Sequence, residues 1–197
     1  YRKIQCMELN GLMSVTTPGN VYRQYVERYG FESLIPVIDT PIGRLGAQIC
    51  YDTNWPELTR AMALRGAEVI CLPTSEIHAG FMGSWARAKR ARAFENGVYI
   101  ASANAASEQF SPDAPVSGMN RGLSVLIDFR GRVVAQTECG GTVPLLGRIE
   151  LGRMRRMRAV GLLPGMRGLH SASVARAYRD FPGFPLDCFA AEPMHSP

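Results

Sequence analysis

The chain has 197 residues, 46% of them hydrophobic and 20% charged, with 22 Lys and Arg against 17 Asp and Glu for a formal net charge of +5. These proportions fit one globular domain with a full core and exclude collagen, coiled coil and whole-chain disorder. No run approaches the roughly 20 apolar residues that span a bilayer, and Tyr1-Arg2-Lys3 opens no secretory signal, so no membrane partner is expected.

In chain order, residues 34–40 form a Leu-, Ile- and Val-rich run, Pro41-Ile42-Gly43 supplies turn chemistry, and residues 45–50 form a second apolar run. Together they predict a hairpin. Pro56 and Glu57 open a helix that Gly66 stops. Residues 68–72 read as a buried strand ended by Pro73. A helix over 84–96 places Trp85, Ala88, Ala91 and Phe94 or Glu95 on one face. Asn96-Gly97 ends it, and 98–103 is the next strand. A Ser-, Pro- and Gly-rich loop at 107–121 precedes a hairpin of 123–128 and 133–137. A strand over 144–150, a helix over 151–158 and a helix-like stretch over 170–179 follow. Alternating strands and helices with added hairpins make an α/β protein with a mixed sheet. Residues 1–180 read as the domain and 181–197 as a Pro-rich tail, irregular or an interaction arm.

Arg153, Arg155, Arg156 and Arg158 crowd one predicted helix. No nucleic-acid motif accompanies them, so they read as a solvated face and no nucleic-acid partner is expected. Cysteines stand at 6, 50, 71, 139 and 188. An odd number without zinc spacing points to reduced thiols, hence a cytoplasmic setting and no metal. Cys6, Cys71, Cys139 and Cys188 read as structural.

Cys50 differs. It ends an apolar strand, and Tyr51-Asp52-Thr53-Asn54 then leads into the Pro56 helix. A nucleophile at such a turn is lifted clear of the sheet edge, with backbone N–H groups facing the same space. A thiol there can attack a carbonyl or nitrile carbon while the Tyr51 N–H stabilises the developing charge. A strand-end cysteine that merely packs is the plain alternative.

The surrounding residues resemble the nitrilase superfamily, the carbon–nitrogen hydrolases. The resemblance is carried by Gly46-Ala47-Gln48-Ile49-Cys50-Tyr51-Asp52, by Trp55-Pro56-Glu57 with Arg60, and by Leu64-Arg65-Gly66-Ala67-Glu68. It continues in Arg90-Ala91-Arg92-Ala93-Phe94-Glu95-Asn96, Tyr99, Ala103-Asn104, Gly122-Leu123-Ser124 and Ile127-Asp128-Phe129-Arg130-Gly131, and it covers roughly residues 1–180. Tyr1-Arg2-Lys3 is similar to the short strand bearing that family's catalytic lysine. The resemblance implies an α-β-β-α sandwich with mixed sheets, here incomplete at the N-terminus. It also implies a homodimer or larger homo-oligomer, no cofactor, and a Glu-Lys-Cys triad. Cys50 matches the nucleophile, Lys3 the lysine and the Tyr51 N–H the oxyanion donor. No residue matches the glutamate base, which precedes the lysine in the family. A second, assisting glutamate matches Glu8, or Asn10 takes that place.

Thr53 and Asn54 lie where family members touch substrate, or they serve the turn as caps. Ser75 and Glu76 follow the next strand, and Glu76 would hold a cationic substrate group or stand as a solvated loop carboxylate. His78 lines the pocket or is incidental. Trp55 reads as packing the turn. Glu57, Arg60, Arg92 and Glu95 read as polar scaffold. The leading expectation is hydrolysis of a small amide, carbamoyl compound or nitrile. A non-catalytic fragment or degenerate relative is the second, and acyl transfer to an amine is the third.

Overall fold

The structure, a computed structural model, describes residues 1–6, 8–9, 12–13, 16–76, 83–107, 109, 111–116, 122–138, 142–161, 171–181, 183 and 186. At 8, 9, 12 and 13 it describes the backbone alone. His78 and the cysteines at 139 and 188 lie outside the described residues. The chain forms two compact units, residues 1–34 with 167–197, and residues 35–166.

In the first unit, β1 (Glu8–Leu9) pairs antiparallel with β2 (Leu12–Met13). A 3-10 turn over Pro18–Val21 enters α1 (Tyr22–Tyr29). The Thr17 N–H and hydroxyl both donate to Asn20 Oδ1, at 2.6 and 3.0 Å, fixing that entry. Tyr22, Tyr25 and Tyr29 recur at helical spacing and Gly30 closes the helix. Among these tyrosines Tyr25 is the buried one.

In the second unit six strands form one sheet. β3 (Val37–Thr40) and β4 (Gly43–Ala47) are the expected hairpin. α2 (Pro56–Leu64) returns the chain to β5 (Val69–Thr74), and α3 (Gly83–Asn96) returns it to β6 (Tyr99–Asn104). β4, β5 and β6 are parallel. β7 (Val125–Ile127) and β8 (Val133–Gln136) complete the sheet antiparallel. Two successive right-handed crossovers moving the same way across a sheet put both helices on one face, and α2 and α3 do pack together.

Register divides the core into two layers. Gly46, Ile70, Ile100 and Ile127 are neighbours across four strands on the helix side. Leu45, Val69 and Tyr99 are neighbours on the other side. There Val69 and Tyr99 form a cluster with Leu126, Phe129 and Met154, Met154 coming from α4 (Leu151–Ala159). Gly46 lets α2 come close: a Cβ there would stand 2.9 Å from Ile70 Cδ1 and 3.1 Å from Met62 Sδ.

Four readings change. β5 runs through Pro73 to Thr74. Cys71 O accepts from Gln48 N, so Pro73, two residues on, faces the β4 side after that ladder has ended, where no N–H is needed. Residues 144–150 are not a strand: among the described residues they have no ladder partner. They cross the face of β7 and β8, where a Cβ on Gly147 would meet Leu126 and Ala135, and Leu146 is 86% exposed. On α3 the buried residues are Lys89, Ala93 and Asn96, and Phe94 is exposed.

The arginines of α4 are more than a solvated face. Arg155 binds both oxygens of Glu68, at 2.5 and 2.8 Å. Arg158 donates to the carbonyls of Gly97 and Ala67, at 3.0 and 2.8 Å. These groups sit at the starts of β5 and β6, so α4 is clamped to the N-terminal end of the parallel strands. Arg153 and Arg156 remain exposed. α5 (Ser171–Asp180), in the first unit, is exposed throughout its length.

Two outcomes follow from this packing. Gly46→Val adds a branched side chain against Ile70 and Met62, both fully buried, and lowers unfolding free energy by about 1–3 kcal/mol in denaturant titration. Arg155, followed by the Arg44 N–H, holds the Glu68 carboxyl below its ordinary value of 4.5. The stability this gives is therefore fully present above 4.5 and is lost as pH falls through the lowered value. Glu68→Gln lowers the melting temperature at pH 7, and its deficit against the parent closes on acidification below that range.

Candidate active site

The carboxyl ends of β4, β5 and β6 open on one end of the sheet, where parallel α/β sheets bind ligands. After β4, the Gln48 N–H donates to Cys71 O at 3.0 Å, which keeps the chain beside β5 for one further residue. Ile49 is extended, and Cys50 then turns to φ +50. A side chain in this left-handed region costs about 1–2 kcal/mol. The turn is held reciprocally: Ile49 N–H donates to Asp52 Oδ2 at 2.9 Å, and Asp52 N–H donates to Ile49 O at 3.1 Å. Asp52 is fully buried. The 3-10 turn Cys50–Asn54 ends as Trp55 N–H donates to Asp52 O at 3.1 Å, and Pro56 starts α2. The Cys50 thiol is free and half-buried.

Tyr51 and Asn54 are half-buried beside it, and Thr53 is buried. The Thr53 hydroxyl and Gln48 Nε2 are buried with no hydrogen-bond partner among the described residues, although Gln48 Oε1 accepts from Thr59 at 3.0 Å. The turn thus combines a strained cysteine with two buried polar atoms that no described residue satisfies, where buried polar groups are ordinarily satisfied. Trp55 does not pack the turn as expected; it is 42% exposed, because Pro56 directs α2 inward through Leu58 and Met62 instead.

Ser75 is exposed just past β5, and Glu76 behind it is buried. Glu76 Oε2 lies 2.7 Å from Lys89 Nζ on α3, and Oε1 accepts from the Thr74 hydroxyl at 2.9 Å. Lys89 also donates to Ser102 Oγ at 3.1 Å. Glu76 N–H donates to Asn104 Oδ1 at 2.7 Å, and Asn104 Nδ2 donates to Glu76 O at 3.2 Å and to Gly122 O. Asn104 N–H donates to Ser124 Oγ at 3.0 Å. Next to this lies Leu123, at φ +63, which with Cys50 makes the pair of non-glycine residues at positive φ among those described. The strain thus gathers at the strand ends. A cleft of about 360 Å³ between β6, β7 and residues 143–149 reaches Ser102 and Ser124 of this network, and its lining carries no titratable side chain.

The family model for carbon-nitrogen hydrolases matches residues 1–159. The chain belongs to the carbon–nitrogen hydrolase family. It is 37% identical over 127 residues to the nitrilase and fragile histidine triad fusion protein NitFhit of Caenorhabditis elegans, covering 64% of this chain and 28% of that protein. The NitFhit crystal structure superposes with a TM-score of 0.65 at 28% identity, over 88% of this chain and 39% of that one. A bifunctional nitrilase/nitrile hydratase of Lupinus angustifolius is 31% identical over 147 residues, covering 66% of this chain and 40% of its own length. Human deaminated glutathione amidase is 32% identical over 126 residues, covering 64% and 37%. The chain thus spans 28–40% of the length of these relatives.

Of the residues singled out for carbon–nitrogen hydrolase chemistry, Cys50, Tyr51, Thr53, Asn54, Ser75 and Glu76 belong to the second unit, and Lys3 and Glu8 to the first. Within the first unit, the Arg2 guanidinium stands 5.9 Å from the Tyr25 ring centre and 5.5 Å from that of Tyr29. The two rings lie 4.9 Å apart. This cation–π contact fastens the segment carrying half-buried Lys3 to α1. Glu8 lies in β1, opposite Met13. Lys89, Asn104 and Asp52 were not among the expected site residues. The signal for Lys89 was Ser102, a polar residue at an inward position of an apolar strand. Among the described residues no group of three or more His, Cys, Asp or Glu side chains converges as metal ligands.

Because the buried Thr53 hydroxyl has no protein partner among the described residues, Thr53→Val leaves the melting temperature unchanged or raises it. A loss above about 2 kcal/mol in thermal unfolding would mean that the hydroxyl is bonded within the fold.

Proposed function

We propose that the protein hydrolyses a non-peptide carbon–nitrogen bond in a small amide, carbamoyl compound or nitrile, through a covalent acyl group on Cys50. The observation that carries this is the Cys50 turn itself: a free, half-buried thiol at φ +50 at the carboxyl end of a parallel strand, in a chain of the carbon–nitrogen hydrolase family. The family's relatives include proteins named as amidase and as nitrilase, which favours this substrate range.

In the amide reaction the Cys50 sulfur forms a bond to the carbonyl carbon as its proton passes to a carboxylate, the role of the family's glutamate base, which no residue of this chain matches. The carbonyl electron pair moves onto oxygen, where the Tyr51 N–H and the Lys3 ammonium stabilise the negative charge. The pair returns, the C–N bond breaks, and the nitrogen leaves with the proton. Water then attacks the thioester, releasing the acid and regenerating the thiol. A nitrile gives a thioimidate by the same attack, and water releases first ammonia and then the acid. Lys3 also favours the thiolate over the thiol. Glu8 assists proton transfer on this reading, while Thr53, Asn54 and Ser75 orient the substrate. The protein works as a homo-oligomer in the cytoplasm.

A screen of small amides, carbamoyl amino acids and nitriles tests the reading. Cys50→Ala abolishes turnover of every substrate found, and Lys3→Met lowers kcat by about 10²–10⁴-fold. Turnover retained in Cys50→Ala would refute it.

A further inference from the structure

The ion pair between Glu76 and Lys89 is the feature of this end of the sheet that the reaction above leaves unused. Both side chains are nearly sealed from solvent, at 2% and 3% exposure, and their charged atoms are 2.7 Å apart. Cys50 follows β4 and Glu76 follows the neighbouring parallel strand β5, so the two lie past adjacent strand ends. α3, which carries Lys89, packs against the Cys50 turn. Each charge also has a neutral anchor of its own: Thr74 donates to Glu76, and Ser102 accepts from Lys89.

We propose that the Glu76–Lys89 pair sets the charge selectivity of the Cys50 site, cancelling within the fold a charge that would otherwise draw in an ionised acyl group, so that the site takes uncharged ones. This rests on Cys50 being the nucleophile. It replaces the expectation that Glu76 holds a cationic substrate group, since the carboxylate is occupied by a cation of the protein. Buried charges are weakly screened by salt. As a general scale, a lone charge about 12 Å from a reacting group, in a medium of effective dielectric near 20, changes the relative encounter of a charged and a neutral reagent by about tenfold. The neutral anchors keep the remaining side chain in place when its partner is removed, so the selectivity is the property that responds.

The test labels Cys50 with three alkylating reagents, neutral iodoacetamide, anionic iodoacetate and cationic 2-bromoethylamine. Rates are read by peptide mass spectrometry and normalised to a free thiol. Lys89→Met, which leaves the carboxylate, raises the bromoethylamine-to-iodoacetamide ratio by about threefold to tenfold. Glu76→Gln, which leaves the ammonium, raises the iodoacetate-to-iodoacetamide ratio to a similar extent. The double variant Glu76→Leu/Lys89→Met returns both ratios to those of the parent, and an apolar replacement of a buried pair is compatible with folding. Unchanged ratios in the folded single variants overturn the proposal, and so does a parent that favours the cationic reagent. Should a single variant fail to fold, the double variant decides, and a ratio different from the parent's overturns it. If Cys50 reacts no faster than Cys6 and Cys71, the nucleophile assignment falls instead.

Discussion

One backbone constraint shapes the carboxyl end of β4, the left-handed conformation of Cys50. A cysteine does not adopt it unaided. Asp52 enforces it by accepting the Ile49 N–H and returning its own N–H to Ile49 O, while Gln48 holds the incoming strand to Cys71. Asp52 is fully buried, so this clamp is shielded from competing water. The turn leads from β4 into α2, and the Thr53 hydroxyl and Gln48 Nε2 are buried without protein partners among the described residues.

The two ends of the parallel strands serve different ends. At the amino ends, Glu68 and the carbonyls of Ala67 and Gly97 receive Arg155 and Arg158 and hold α4 on the sheet. At the carboxyl ends, Asn104 ties β6 to Glu76 and to Gly122, and Lys89 ties α3 to both Glu76 and Ser102. The first arrangement is a half-exposed clamp whose contribution depends on pH. The second is a sealed network in which each charge is matched inside the protein, which gives fixed geometry at the site at the cost of desolvating two ions.

Much of this was legible in the residues. The hairpin around Pro41, the helix between Pro56 and Gly66, and the Cys50 turn follow from local chemistry that tertiary contacts did not override. Other features depend on partners distant in sequence. Lys89 reads as a solvent residue until Glu76 and Ser102 are beside it, and this is why the buried face of α3 is displaced from the one its apolar residues suggest. Pro73 reads as a strand end, yet it stands where β4 has already stopped pairing. Residues 144–150 alternate like a strand, but lying across a sheet face satisfies the same alternation without a ladder. Arg155 and Arg158 look like surface charge because Glu68, Ala67 and Gly97 are more than 50 residues earlier.

The covalent step is the central claim, and its most direct measurement is rapid quenching of the protein with a slowly hydrolysed amide, followed by mass spectrometry of the Cys50 peptide. The expected result is the added mass of the acyl group on Cys50, appearing during turnover and disappearing as substrate is exhausted. Turnover without that adduct, or an adduct on another cysteine, would contradict it.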